Sequence, residues 1–247
     1  MSIVKHIPNT ITCLNLFSGC TASLLAVEGH LELSAAFVLL AAIFDFMDGL
    51  TARALKAYSP MGKELDSLAD MVSFGLTPGL IALGYLKLSV LGDASADFNP
   101  QELNMAQMAI LLSAFIIPVF SALRLAKFNV DDRQTTSFIG VPTPANAMFW
   151  ASIPLVLHFG NYPTIQEWIL NPIILIVTIL ITSFLLTAEI KMFSLKVKSL
   201  SWKDNKIRYA FLISLIALAI ALKWLVIPLI LIVYLLFSIL DNMTSKK

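Results

Sequence analysis

The sequence predicts an all-α fold, a polytopic membrane helix bundle of about eight transmembrane helices. Three observations carry that prediction. Of the 247 residues 58% are hydrophobic and 13% charged, with a mean hydropathy of +0.83, which excludes an ordinary soluble domain. Apolar segments of helix length recur along the whole chain, and lipid admits spanning backbone only where it satisfies its own hydrogen bonds. Finally, Lys and Arg gather in alternate connections between those segments.

The segments fall near 9–27, 33–55, 63–87, 104–128, 143–159, 166–190, 207–222 and 224–240. The first opens on Ile7-Pro8-Asn9 and sets Asn9, Thr12 and Asn15 on roughly one helix face, where they cap the helix or bridge to a neighbour. Its Cys13 and Cys20 are too far apart along a helix for a disulfide and read as small buried hydrophobes. Segments two and three are joined by the short polar run Arg53–Gly62, whose Ser59-Pro60 turn predicts a helical hairpin. In segment three, Pro78 and the neighbouring glycines predict a kink, and Gly75 and Gly79 form a G-x3-G suited to packing a helix or a dimer face. The acidic loop 89–103 follows, and segment four ends on Arg124 and Lys127. The last two segments are short and nearly continuous. Lys223, Trp224 and Pro228 favour a tight hairpin there, with a single overlong helix, hence seven spans, as the alternative. His6, His30 and His158 are scattered and make no ligand set. With no internal repeat or signal peptide evident, residues 1–247 read as one integral-membrane domain.

With the N-terminus taken as cytoplasmic, 15 of the 17 Lys and Arg fall on the inside and only Lys87 and Lys223 outside. Both termini are then cytoplasmic, as is the 45–70 hairpin, in a multi-pass protein of the cytoplasmic membrane. The formal net charge of +1 says nothing about partners, and no nucleic-acid partner is expected.

The hairpin holds the chemistry. It reads D-x2-D-G-x2-A-R-x8-G-x3-D-x3-D, with Asp45 and Asp48 at i,i+3 and Asp66 and Asp70 at i,i+4, so each pair faces one way on its helix. Two helical arms can bring four carboxylates together. Such a cluster stays ionised only with cations among it. Carboxylate-only ligation suits Mg²⁺ or Mn²⁺ rather than Zn²⁺, and two ions with a shared ligand suit displacement at phosphorus. The plainer reading, four solvated or ion-paired acids at a membrane surface, fits this spacing poorly. A soluble group or metal ion reaches this position from the cytoplasm, and an apolar tail reaches it sideways from the bilayer.

Asp45, Asp48, Gly49, Ala52, Arg53, Gly62, Asp66 and Asp70 together resemble the full signature of the CDP-alcohol phosphotransferases, with no departure at any signature position. The segments IPNTITCLNLFSG, LRLAKFN and F-x-G-x-P-x-P-A are similar to the serine-using branch of that family, over roughly residues 5–150. The resemblance implies phosphatidyl transfer from CDP-diacylglycerol to L-serine, giving phosphatidylserine and CMP, by a metal-dependent homodimer in membrane lipid. It implies Asp45, Asp48 and Asp66 as ligands of two divalent cations, Mg²⁺ or Mn²⁺. Asp70 would complete the second site and act as general base. Asn15, Thr12, Asp48, Gly49, Ala52, Arg53, Gly62 and Asp66 would hold the CDP-lipid, Arg53 by pairing with phosphate. Arg124, Lys127 and Arg133 are the cationic candidates for the acceptor, with Arg124 the best placed, although a positive-inside anchor explains Arg124 and Lys127 equally well. Glycerol phosphate or inositol phosphate as acceptor is the alternative within the same chemistry. An ion-coupled transporter is the alternative outside it, disfavoured because the acids crowd toward one end and no repeat is visible.

Overall fold

The computed structural model describes residues 6–131, 133, 138–193 and 205–244. Lys5, Lys196, Lys198, Lys203, Lys246 and Lys247 of the charge pattern lie outside the described residues. The helices are α1 (Ile7–Val27), α2 (Leu31–Ala54), α3 (Pro60–Asp70), α4 (Thr77–Leu91), α5 (Met105–Leu112), α6 (Ile116–Val130), α7 (Thr143–Phe159), α8 (Pro163–Ile169), α9 (Pro172–Thr187), α10 (Lys206–Leu222) and α11 (Val226–Thr244). A π-helical turn, Met71–Leu76, carries α3 into α4, and a 3-10 turn, Ser113–Phe115, carries α5 into α6. Two short strands, β1 (Phe138–Ile139) and β2 (Lys191–Met192), pair antiparallel and tie the entry of α7 to the exit of α9.

Five helical stretches are long and apolar enough to cross a membrane, or six if α8 and α9, bent by 70°, count as one span. Each of the eight predicted segments falls on a helix or a helix pair. The longest stretch, Lys206–Met243, runs 38 residues and folds back on itself. Lys223 takes φ 52° at the turn. The Phe211 ring then lies 5.9 Å from that of Phe237, where one continuous helix would separate them by about 39 Å. The expected hairpin replaces the overlong helix.

Small residues let α1 and α2 approach: Ala22, Ala26, Ala35 and Ala41 are buried between larger neighbours such as Phe74, Ile81 and Trp150. Ser34 Oγ donates to the Ala22 carbonyl across that seam at 2.8 Å. Outward the helices carry Phe17, Phe46, Phe184 and Ile220, all exposed, the apolar exterior of a lipid-embedded bundle. Cys13 and Cys20 correct the sequence reading. Both thiols are free, as expected, but both face outward, because the small polar face of α1 takes the interior instead.

The irregularity expected near Pro78 is the π-helical turn. Pro78 has no N–H, so the Phe74 carbonyl loses its α-helical donor, and the turn widens. Thr77 supports it from the side: its hydroxyl lies 2.9 Å from the Val72 carbonyl, 3.2 Å from the Gly19 carbonyl and 2.8 Å from the Ser23 hydroxyl. Ser73 Oγ donates to the Asn15 carbonyl at 3.1 Å. The G-x3-G packs a helix of the same chain. A Cβ on Gly75 would meet Ser121 Cβ at 3.1 Å, and one on Gly79 would meet Pro118 Cδ at 2.8 Å.

Candidate active site

The connection from α2 to α3 is a tight reversal. Lys56 sits in the left-handed region at φ 49°. Ser59 then caps α3, its Oγ accepting from the Gly62 amide at 3.0 Å, with Pro60 in the first turn, where no amide donor is needed. A Cβ on Gly62 would stand 2.9 Å from Asn9 Oδ1 and 3.0 Å from Ser59 Oγ, so the start of α1 leans directly on this turn. Lys63 Nζ donates to the Asn129 carbonyl at 3.1 Å, and Asn129 Nδ2 donates to Ser67 Oγ at 2.9 Å, which ties α3 to the end of α6.

This framework brings carboxylates from two helices together. Asp45 and Asp48 of α2 and Asp66 of α3 offer oxygens that all lie within 4.8 Å of one another. Asp48 is buried, Asp45 and Asp66 half-buried. Asp48 Oδ2 is buried without a hydrogen-bond partner among the described residues. Three convergent carboxylates, one with an oxygen left unsatisfied among the described residues, fit a hard divalent cation.

Asp70 stands outside this trio, one turn deeper. It is 9% exposed and accepts from Asn15 Nδ2 at 3.4 Å. Arg124, 5% exposed, is within electrostatic reach of Asp70 and lies over the Phe128 ring at 4.9 Å from its centre.

Beside the trio opens a groove of about 220 Å³ lined by Asn9, Thr12, Asp48, Gly49, Ala52, Tyr58, Gly62, Lys63 and Asp66. Of the predicted CDP-lipid residues, Thr12, Asp48, Gly49, Ala52, Gly62 and Asp66 therefore share one wall-to-wall space. Asn15 does not line it and instead holds Asp70. Arg53 sits at its rim, exposed, with a guanidinium nitrogen 3.6 Å from where a Cβ on Gly49 would be. Pro8, Asn9, Ala57, Tyr58, Ser59 and Lys63 complete the groove. For Lys63 the available signal was its position one residue after Gly62, a basic side chain in the first turn of α3.

The acceptor candidates separate. Lys127 is bound to Glu189, and Arg133 pairs with Asp131 at 2.7 Å and with Glu189 at 3.5 Å. Glu189 is exposed, and its carboxyl is held below the usual range by the hydrogen bond from Lys127, with Arg133 adding to it. Only Arg124 joins the buried site. A separate apolar cavity of about 730 Å³ lies between α2, α7 and the α10–α11 hairpin, lined by Leu39, Phe46, Met148, Phe149, Phe211 and Tyr234 among others.

Fold and site define an integral-membrane helical bundle with a carboxylate cluster that can hold a metal ion at one end. A family model for CDP-alcohol phosphatidyltransferases matches residues 5–182, and the chain belongs to that family. It is 33% identical over 176 residues to a CDP-diacylglycerol–serine O-phosphatidyltransferase of Mycobacterium tuberculosis, covering 68% of this chain and 56% of that protein. It is 30% identical over 165 residues to the protein of that name in Bacillus subtilis, covering 64% of this chain and 83% of the relative. For the Methanocaldococcus jannaschii protein of the same name, identity is 33% over 170 residues, covering 69% and 67%. The chain thus spans little more than half the length of the mycobacterial relative.

Proposed function

We propose that this protein transfers the phosphatidyl group of CDP-diacylglycerol to the hydroxyl of L-serine, giving phosphatidylserine and CMP. The observation that carries the reading is the convergence of Asp45, Asp48 and Asp66 within 4.8 Å beside a groove, in a chain of this family. The three relatives named for that activity support serine as the acceptor.

Asp45, Asp48 and Asp66 would hold divalent cation, with Asp70 completing a second site, and Mg²⁺ or Mn²⁺ suits this all-carboxylate donor set. When bound, the cations supply charge that neutralises the pyrophosphate and the departing CMP. The chain does the rest. Thr12, Asn9, Gly49 and Ala52 shape the groove for the nucleotide, the last two by leaving room for close approach. Arg53 and Lys63 at the groove bring positive charge to the phosphates. Asp70, oriented by Asn15, accepts the proton of the serine hydroxyl as it attacks phosphorus. Arg124 pairs with the serine carboxylate. The apolar cavity between α2, α7 and the terminal hairpin has room for acyl chains. The charge pattern supports a cytoplasmic site in the cytoplasmic membrane, with both termini on that side. The family resemblance supports a homodimer, and the run of apolar helices supports one domain over residues 1–247.

The test is CMP release from labelled CDP-diacylglycerol by purified protein in mixed micelles, with L-serine, glycerol phosphate or inositol phosphate offered in turn. Serine-dependent release that chelator abolishes and Mg²⁺ or Mn²⁺ restores is expected. Faster release with either phosphate-bearing acceptor would overturn the choice of serine.

A further inference from the structure

Among the described residues, four neutral polar side chains are wholly buried yet lack hydrogen-bond partners: Ser121 Oγ, Thr143 Oγ1, Ser183 Oγ, and both Nδ2 and Oδ1 of Asn146. A dry hydroxyl or amide with no partner is costly, and natural interiors rarely keep one unless something else satisfies it. Four on three helices is a pattern rather than an accident.

Helix register places them at neighbouring levels of the bundle. Ser121 of α6 is level with Gly75 of the π-helical turn, so Arg124, one turn nearer the charged end, is level with Asp70 and Met71. Lys127 meets Glu189 just beyond α9, so Arg124 and Ser121 lie at successively deeper levels of that helix, near Leu185 and Thr182. The Val141 amide donates to the Leu185 carbonyl at 2.9 Å, and Trp150 Nε1 donates to Thr182 Oγ1 at 3.3 Å. Thr143 and Asn146 fall between those two rungs on the side of α7 that faces α9, the layer that also holds Ser183. The unpaired groups therefore occupy the layers of Arg124 and Asp70.

We propose that Asn146 is a specificity-determining residue of the acceptor pocket, its carbonyl oxygen accepting from the ammonium and its amide donating to the carboxylate of a small zwitterionic α-amino acid, with Thr143, Ser121 and Ser183 completing the polar lining. This rests on the serine reading above and deepens it. A carboxylate and an ammonium on one carbon need one cation together with neutral groups that both donate and accept. Arg124 is the cation, and the amide is the side chain that does both. A phosphate-bearing acceptor would call for further cations here, and the other two candidates, Lys127 and Arg133, are engaged with Glu189.

The test uses full-length protein with CDP-diacylglycerol in mixed micelles. Asn146→Leu is expected to raise the KM for serine at least tenfold, to leave the KM for CDP-diacylglycerol within about twofold, and to keep or raise the Tm, since an unpaired buried amide is gone. Asn146→Asp places a negative charge against the carboxylate and should lower the preference for serine over ethanolamine at least tenfold in kcat/KM. In the wild type, ethanolamine and 3-hydroxypropionate, each lacking one charged group, should compete with serine at least tenfold more weakly than serine itself binds; equal competition overturns the proposal without any variant. An unchanged serine KM in Asn146→Leu, or a lowered Tm with both KM values moving together, also overturns it. Those results leave the reaction itself standing. Wild-type protein that releases CMP only with another acceptor would instead reject the serine reading.

Discussion

Replacing Asp66 by Asn separates the stability of the carboxylate trio from its use. Its three members lie within 4.8 Å of one another, so each ionised pair repels by about 3.5 kcal/mol at an effective dielectric of about 20. Asp66 takes part in two of the three pairs. Water in the groove and side-chain relaxation reduce the repulsion relieved to about 1–3 kcal/mol. In chelator, Asp66→Asn should therefore unfold at a higher temperature than wild type. With Mn²⁺ or Mg²⁺ at about 100 times the wild-type Kd that lead should shrink by about 2.3 kcal/mol, which reverses the order wherever the repulsion relieved is smaller than that. Cation at about 100 times its Kd stabilises the wild type by about 2.7 kcal/mol; a variant whose Kd is about 100-fold weaker gains only about 0.4 kcal/mol at the same concentration. The assay is thermal unfolding of detergent-solubilised protein across a metal titration, with CMP release measured alongside. A variant that is less stable in chelator and keeps the full metal-induced shift would refute the assignment of Asp66 to a cation site.

Asp70→Asn should lower kcat by two orders of magnitude or more while changing the KM for CDP-diacylglycerol little, because the amide cannot take the proton; steady-state kinetics check it, and kcat within a few-fold of wild type removes Asp70 as base. Arg124→Lys keeps the charge but loses the guanidinium fork over Phe128, so the serine KM should rise about tenfold, equivalent to about 1.4 kcal/mol, in separate titrations of the two substrates. Glu189 carries a carboxyl held low by Lys127 and then Arg133, so its contribution is present above its unfolded value near 4.5 and is lost as pH falls through the folded value. Thermal unfolding between about pH 5 and pH 3 should therefore drop less steeply in Glu189→Gln than in wild type.

The helices and the aspartate hairpin were legible because each depends on local pattern. Hydropathy sets the spans, and i,i+3 and i,i+4 spacing sets which carboxylates share a face. Ser59-Pro60 announced the start of α3, and Pro78 announced the disturbance after Asp70, although not that it would be a π-helical turn. What failed or stayed hidden depends on facing helices. The outward turn of Cys13 and Cys20 follows from Thr12, Asn15, Ser18 and Gly19 taking the inside of α1, and hydropathy alone favours the reverse. Lys127 and Arg133 looked available until Glu189, from the far end of α9, was placed between them. Asn146 had one local signal, an amide inside the apolar run Ala145–Trp150, but its orphaned atoms emerge only when α6, α7 and α9 are packed.

The widened turn at Met71–Leu76 acts as a phase shifter in one rod. An α-helix advances about 100° per residue, so one residue absorbed in a π-helical turn rotates everything beyond it by about that angle while the backbone ladder stays closed. The upper half of the rod aims Asp66 at α2, and the lower half aims Gly79 at Pro118 of α6. Straight α-helical continuation would satisfy one partner and turn the other away. A one-residue deletion between Met71 and Leu76 would thus leave composition, hydropathy and helix content almost untouched, yet it would put the carboxylates and the packing seam out of register.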